Sequence, residues 1–262
     1  MKINKSLIAI LGSCLIGTSL TSCLDNETYP TIYPTMGTVV NTDDMSIDSD
    51  SYGLLIPKNP SVVSASDADS IGQRVLVNIN FPDEENARET SSTSGKEVTI
   101  FDLYKVLTKA ANDLRLPHTE PEENFGNNNI QITSTSISKE HLNIQFNIEG
   151  QDETIPHRIS LLLTENTKIN DEGLLEVELR HNNNSDYGQR LYWGVVSYTL
   201  SSIPEYSKPE CKGFRIIYNS GANTKAEWDV IKPSSDQDSA VRAMKTSQEI
   251  SNGHSLLSSQ LQ

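Results

Sequence analysis

Cysteine is scarce in this chain. Its 262 residues hold three, Cys14, Cys23 and Cys211. That excludes a dense disulfide framework and any zinc site built from several thiolates. Tryptophan is scarcer still, with two residues, and 21 basic side chains face 35 acidic ones. A formal net charge of −14 repels phosphate backbones and anionic membrane surfaces alike, so nucleic acid is not an expected partner. The sequence also lacks G-x-S-x-G, H-E-x-x-H, a P-loop and the glycine pattern of dinucleotide binding. No catalytic residue, cofactor or metal ligand is assigned, and the expectation is a protein that is not an enzyme.

What is present begins with an address. Lys2 and Lys5 precede the apolar stretch "LIAILGSCLIGTSL" at 7–20. The stretch is too short to span a bilayer and ends in small residues, so residues 1–22 read as a secretory signal. Leu20-Thr21-Ser22-Cys23 resembles a bacterial lipobox. The resemblance implies cleavage before Cys23, a diacylglycerol on its thiol and acylation of the new amine. Each buried methylene contributes about 0.8 kcal/mol, and two chains already anchor stably. Asp25 and Glu27 follow closely, resembling the signal that sends Bacteroidetes lipoproteins to the outer face of the outer membrane. The expected location is therefore the outer membrane, lipid-anchored and exposed at the cell surface. The mature chain would have 262 − 22 = 240 residues, with Cys211 as its only unmodified cysteine. In "KPECKGF" that residue sits in a turn with no histidine nearby in sequence, and a nucleophilic role is not expected.

Residues 23–35 carry Pro30 and Pro34 and read as a tether. Strand patterns follow at 36–41 and 52–57. In "GQRVLVNINF" (72–81), Val75, Val77, Ile79 and Phe81 alternate onto one face. The polar, Ser-rich segment 83–96 reads as a long hairpin loop. Residues 97–114 are ambiguous, because Val98 and Ile100 alternate whereas Leu103, Val106, Leu107, Ala110 and Leu114 have helical spacing. A first domain is placed at 36–116 and a linker at 117–129, where prolines, acids and an asparagine run gather. Seven strand patterns then recur about every ten residues through 130–233, the signature of a two-sheet sandwich of immunoglobulin-like kind. Leu175, Val177, Leu179, Tyr192, Val196, Tyr198 and Leu200 are its expected core. The polar segment 234–262 reads as a disordered tail.

Candidate binding residues are few. His157 and His181 adjoin Arg158 and Arg180 on strands that could be neighbours, and could hold an anion, or a metal with a carboxylate. Ordinary strand residues at a solvated rim are the preferred reading, since guanidinium groups repel a cation. "HNNNSDYG" (181–188) could contact calcium or a ligand, but Asn, Asp and Gly also suit a plain turn. Aromatic residues are the preferred ligand contacts: Tyr187, Tyr192, Trp193 and Trp228. Alternation puts Tyr192 and Trp193 on opposite faces of one strand; one of them then points outward as a ligand platform, or, the favoured alternative, both lie in partly buried core or domain-interface positions.

Taken in order, "SCLDNE", "GQRVLVNINF", "IFDLYKVLTKAANDL", "HLNIQFNI", "HRISLLL" and "LEVELRHNNNSDYG…GVVSYTL" resemble the NigD-like lipoproteins of Bacteroidetes, over roughly residues 20–231. The resemblance implies an all-β chain, an N-terminal OB-like β-barrel followed by a C-terminal β-sandwich. It brings no catalytic residues, and it implies a role near bacteriocin production or immunity. The reading is a non-enzymatic surface lipoprotein acting as a binding or interaction module toward a protein or a surface glycan. The alternative is an accessory that binds or hydrolyses glycans.

Overall fold

The computed structural model describes residues 30–82, 95–222, 224–234 and 261–262. The leader, Cys23, most of the Ser-rich loop and most of the tail lie outside the described residues.

The chain is nearly all β, as the alternating patterns predict. The first five strands are β1 (Tyr33–Val39), β2 (Ile47–Ser49), β3 (Gly53–Pro57), β4 (Arg74–Asn80) and β5 (Lys96–Lys105). They close into a barrel of order β1-β2-β3-β5-β4, sealed where β1 pairs antiparallel with β4. The β3–β5 pair is parallel, and the short helix α1 (Ser61–Ala65) lies between β3 and β4. That arrangement is OB-like. Val75, Val77, Ile79 and Phe81 all enter the barrel core with Val39, Leu55 and Val98. Val63 of α1 is fully buried against them. The expected tether ends early, since Tyr33–Thr35 already belong to β1 and Tyr33 packs edge-to-face on Tyr52 and Phe81.

The helical spacing at 103–114 is not realised. Residues 96–105 are one strand whose backbone pairs with β4, and Val106 then leads the chain across into the second domain. There β6 (Leu107–Lys109) joins one sheet beside β12, and β7 (Asn112–Asp113) joins the other beside β10. The crossing falls near Val106, ahead of the expected linker at 117–129. Asn127 and Asn128 of that linker are held in place: Asn128 N–H donates to His181 O, and the Asn219 side-chain amide donates to Asn127 O.

The remaining strands are β8 (Gln131–Ile137), β9 (His141–Gly150), β10 (Arg158–Leu163), β11 (Leu174–Asn182), β12 (Arg190–Thr199), β13 (Gly213–Asn219) and β14 (Lys225–Ile231). They form sheets of order β14-β13-β11-β10-β7 and β6-β12-β9-β8. The facing sides bury Leu142, Ile144, Phe146, Leu175, Val177, Leu179, Val196 and Tyr198. The outward side of β9 is buried as well, at His141, Asn143 and Gln145. Part of its cover is the barrel: Arg74 of β4 reaches Asn143, and Met36, Leu76 and Val106 pack with Val195 and Trp193 of β12. Of the described residues beyond 234, Leu261 joins the sandwich core.

Candidate functional site

The two histidines that look solvated in the sequence are among the most buried polar residues. His157, just before β10, and His181, on β11, meet because Ile159 pairs with His181 across the two strands. Their rings stack, with His157 Nδ1 2.8 Å from His181 Nε2. His157 Nε2 lies 3.1 Å from Asp186 Oδ2, and His181 Nδ1 lies 2.7 Å from the Asn129 carbonyl oxygen. The expected rim is therefore a buried line of Asp186, His157, His181 and Asn129.

Counting protons narrows the states. Three contacts need three protons, and the Asn129 carbonyl can only accept, so His181 donates from Nδ1. With Asp186 ionised, His157 Nε2 donates to it, and the third proton lies between His157 Nδ1 and His181 Nε2. Burial pushes the Asp186 carboxyl up, but the N–H groups of Gln151 and Asp152 and the His157 ring outweigh it and hold it below the usual range. Burial holds His181 down at about 4.

This line resembles the acid–imidazole pair of a hydrolase, but its far end does not. His181 ends on a backbone carbonyl instead of a hydroxyl or thiol, so it presents no base to a nucleophile. Its evident work is to tie three loops together. Asp186 gathers the segment after β9, Asn183 N–H reaches the Asn128 side chain, and the Asn183 amide donates to Asp186 O. Asn184 and Ser185 take positive φ, which is the turn chemistry expected of "HNNNSDYG". Gly188 lies so close to Gly150 that a Cβ there would sit 2.2 Å from its carbonyl oxygen. Among the described residues no group of three or more His, Cys, Asp or Glu side chains could hold a metal ion.

The named aromatic residues scatter. Tyr187 is 75% exposed, beside a polar cleft of about 200 Å3 that includes Asn128, Glu149, Asn183 and Asp186. Tyr192 points into the sandwich core, under the Arg190 guanidinium. Trp193 faces the other way, as alternation requires, but the barrel covers it. Trp228 packs on the sandwich core and donates from Nε1 to Thr135 Oγ1 at 2.9 Å, joining β14 to β8. No outward aromatic platform forms on β12. Cys211 is buried, its thiol directed at Gly213 O.

The sequence reading missed a larger hollow on the barrel. An open groove of about 880 Å3 runs between the end of β5 and the loop before β4, lined by Ile71, Leu103, Tyr104 and the Lys105–Asp67 pair among others. Ile71, 70% exposed, is the visible signal: a large aliphatic residue in an otherwise polar loop.

The fold defines the class, an OB-like barrel followed by a β-sandwich. The model of the NigD-like C-terminal β-sandwich domain matches residues 115–230, so the second domain is similar to that domain. Solved structures share the architecture. A protein of unknown function from Bacteroides vulgatus is 22% identical, with a TM-score of 0.60 over 79% of this chain and 94% of its own. A protein named as toxin-related from Parabacteroides distasonis is 20% identical, with a TM-score of 0.58 over 81% and 98%. A protein named as a lipoprotein from Bacteroides fragilis is 11% identical, with a TM-score of 0.54 over 78% and 100%. At these identities the likeness establishes the fold. No curated protein matches the chain.

Proposed function

We propose that the chain is a lipid-anchored interaction module of the bacterial outer membrane, displayed at the cell surface and acting by binding. The observation that carries the reading is spacing. Cys23 of the lipobox-like motif lies ten residues before Tyr33, where the first barrel strand begins. Ten residues reach at most roughly 35 Å, so the barrel stays close to the bilayer that holds the lipid. The lipoprotein name of the Bacteroides fragilis structure agrees with this reading. The inward-facing His157–His181–Asp186 line supports binding over catalysis, because all its polar contacts are spent within the fold. The partner class is a protein, and the family's link to bacteriocin production or immunity makes a secreted toxin or its membrane complex the first candidate.

The test is cross-linking on intact cells, comparing wild type with Cys23→Ala and reading by mass spectrometry. The proposal expects a reproducible protein partner that is captured only by the anchored form. Equal capture by Cys23→Ala removes the anchor from the function. Capture of surface glycan without protein turns the reading toward the glycan-binding alternative.

A further inference from the structure

The exposed Tyr187 ring stands on a fixed mount. Asp186 before it is buried and accepts from the Gln151 and Asp152 N–H groups, and Gly188 after it lies against the Gly150 backbone. Little entropy is lost when a ligand settles on a ring held in this way. The polar cleft beside it, about 200 Å3, has the volume of roughly six or seven waters. Glu149 and Asn129 stand in its wall, and neither side chain bonds or pairs with another described residue. Leu191, 59% exposed, lies directly opposite Glu149 across β12 and β9, so an apolar surface adjoins the carboxylate. His181 and Asp186, which also line the cleft, add no net charge, because the extra proton between the two imidazoles balances the Asp186 carboxylate. Arg190, the nearby cation, is engaged by Glu153 and lies over the Tyr192 ring. Glu149 therefore leaves the cleft negative.

An exposed ring, a free carboxylate and an apolar neighbour are what a guanidinium on an aliphatic stem requires. The chain shows the same arrangement filled elsewhere: Arg158 Cζ lies 4.3 Å from the centre of the Phe125 ring, and its two terminal nitrogens donate to Glu120 at 2.8 and 2.7 Å. We propose that the cleft beside Tyr187 receives an arginine side chain of the partner protein, its guanidinium forked on Glu149 and stacked on the Tyr187 ring. The Asn129 amide offers an acceptor for a remaining N–H. A lysine uses the charge but neither the fork nor the stack, so arginine is the favoured ligand. The inference deepens the proposed interaction role and rests on it for the existence of a protein partner. The chemistry of the cleft does not depend on the anchor.

The test is a titration of the full chain with the capped peptide acetyl-Gly-Arg-Gly-amide, followed by NMR shifts of the backbone amides. Saturable shifts are expected at Glu149, Tyr187 and Gly188, half-complete in roughly the millimolar range, as a single side chain allows. The same peptide with citrulline keeps the shape without the charge and is expected to bind about tenfold more weakly or worse. Glu149→Gln and Tyr187→Ala are each expected to weaken the arginine peptide about threefold or more. Both side chains are exposed, so the variants keep the fold. Absence of saturable shifts at these amides, or equal binding of the citrulline peptide, overturns the proposal. Saturable shifts with methyl glucoside and none with the arginine peptide overturn it too and make the cleft a sugar site. A failed titration beside a protein partner captured on cells removes the cleft alone. A successful titration with no protein captured keeps the cleft and removes the partner reading.

Discussion

Arg74 Nη2 donates to Asn143 Oδ1 at 3.1 Å, a hydrogen bond from the barrel to the sandwich. Arg74 is 1% exposed, and its fork is filled by Asp50 at 2.8 and 2.6 Å. Thr38 Oγ1 accepts a further bond. Asn143 Oδ1 also accepts from Ser197, and the Asn143 amide donates to Ser136. A buried bidentate ion pair thus sits where the apolar contact of Met36, Leu76, Val106 and Trp193 already presses the domains together.

Arg74→Met is expected to cost about 3–5 kcal/mol, because it leaves the Asp50 carboxylate buried without its cation. It also removes the direct bond to the sandwich. Chemical denaturation followed by domain-specific probes is expected to split one transition into two. A single transition with unchanged midpoint would show that the ion pair does not join the domains.

Asp186→Asn replaces the charged end of the buried histidine line. The amide keeps the shape but offers one acceptor oxygen where the carboxylate offers two to the Gln151 and Asp152 N–H groups and the His157 ring. A loss of about 3–5 kcal/mol is expected, measured by urea denaturation. Faster amide exchange in the loops at 150–157 and 181–188 accompanies it.

Acid weakens the fold from a pH above the usual carboxylate range. His141, buried and beside Arg74, is held down at about 4, and His181 is held down at about 4 by burial. Both take up a proton more readily unfolded than folded. Between about pH 6.5 and 4 the unfolded state therefore binds more protons, and stability falls as pH drops through that window. Each group accounts for on the order of 3 kcal/mol by pH 4. Denaturation midpoints across this range test it, and His141→Gln is expected to flatten part of the slope. Equal midpoints at pH 7 and 4.5 would contradict it.

The aromatic residues separate into two classes. Tyr187→Ala is expected to change stability by less than about 0.5 kcal/mol, since the ring stands in solvent. Trp193→Ala empties space between the domains and is expected to cost about 3 kcal/mol or more. Thermal melts of the two variants decide between these roles. Partner capture by Tyr187→Ala then reads binding without a folding effect.

The barrel core was legible because one alternating run, Val75 to Phe81, carries it. The sandwich strands were legible for the same reason. The course of 103–114 was not, because apolar residues at helical spacing there serve three different sheets in turn: the barrel, then each sheet of the sandwich. His157 and His181 were found as neighbours, but their burial was not readable. It depends on Asp186 arriving from a turn and on the Asn129 carbonyl, neither of which adjoins them in sequence. The burial of Leu261 is equally long-range, since it joins the sandwich core from far along the chain.

The most direct test is the mass of the N-terminal residue after membrane extraction. The account predicts that the mature chain begins at Cys23 and carries a diacylglycerol on sulfur with an acylated amine. Cys23→Ala is then expected to leave the membrane fraction. Recovery of an unmodified Cys23, or a Cys23→Ala protein that stays with membranes as wild type does, would contradict it.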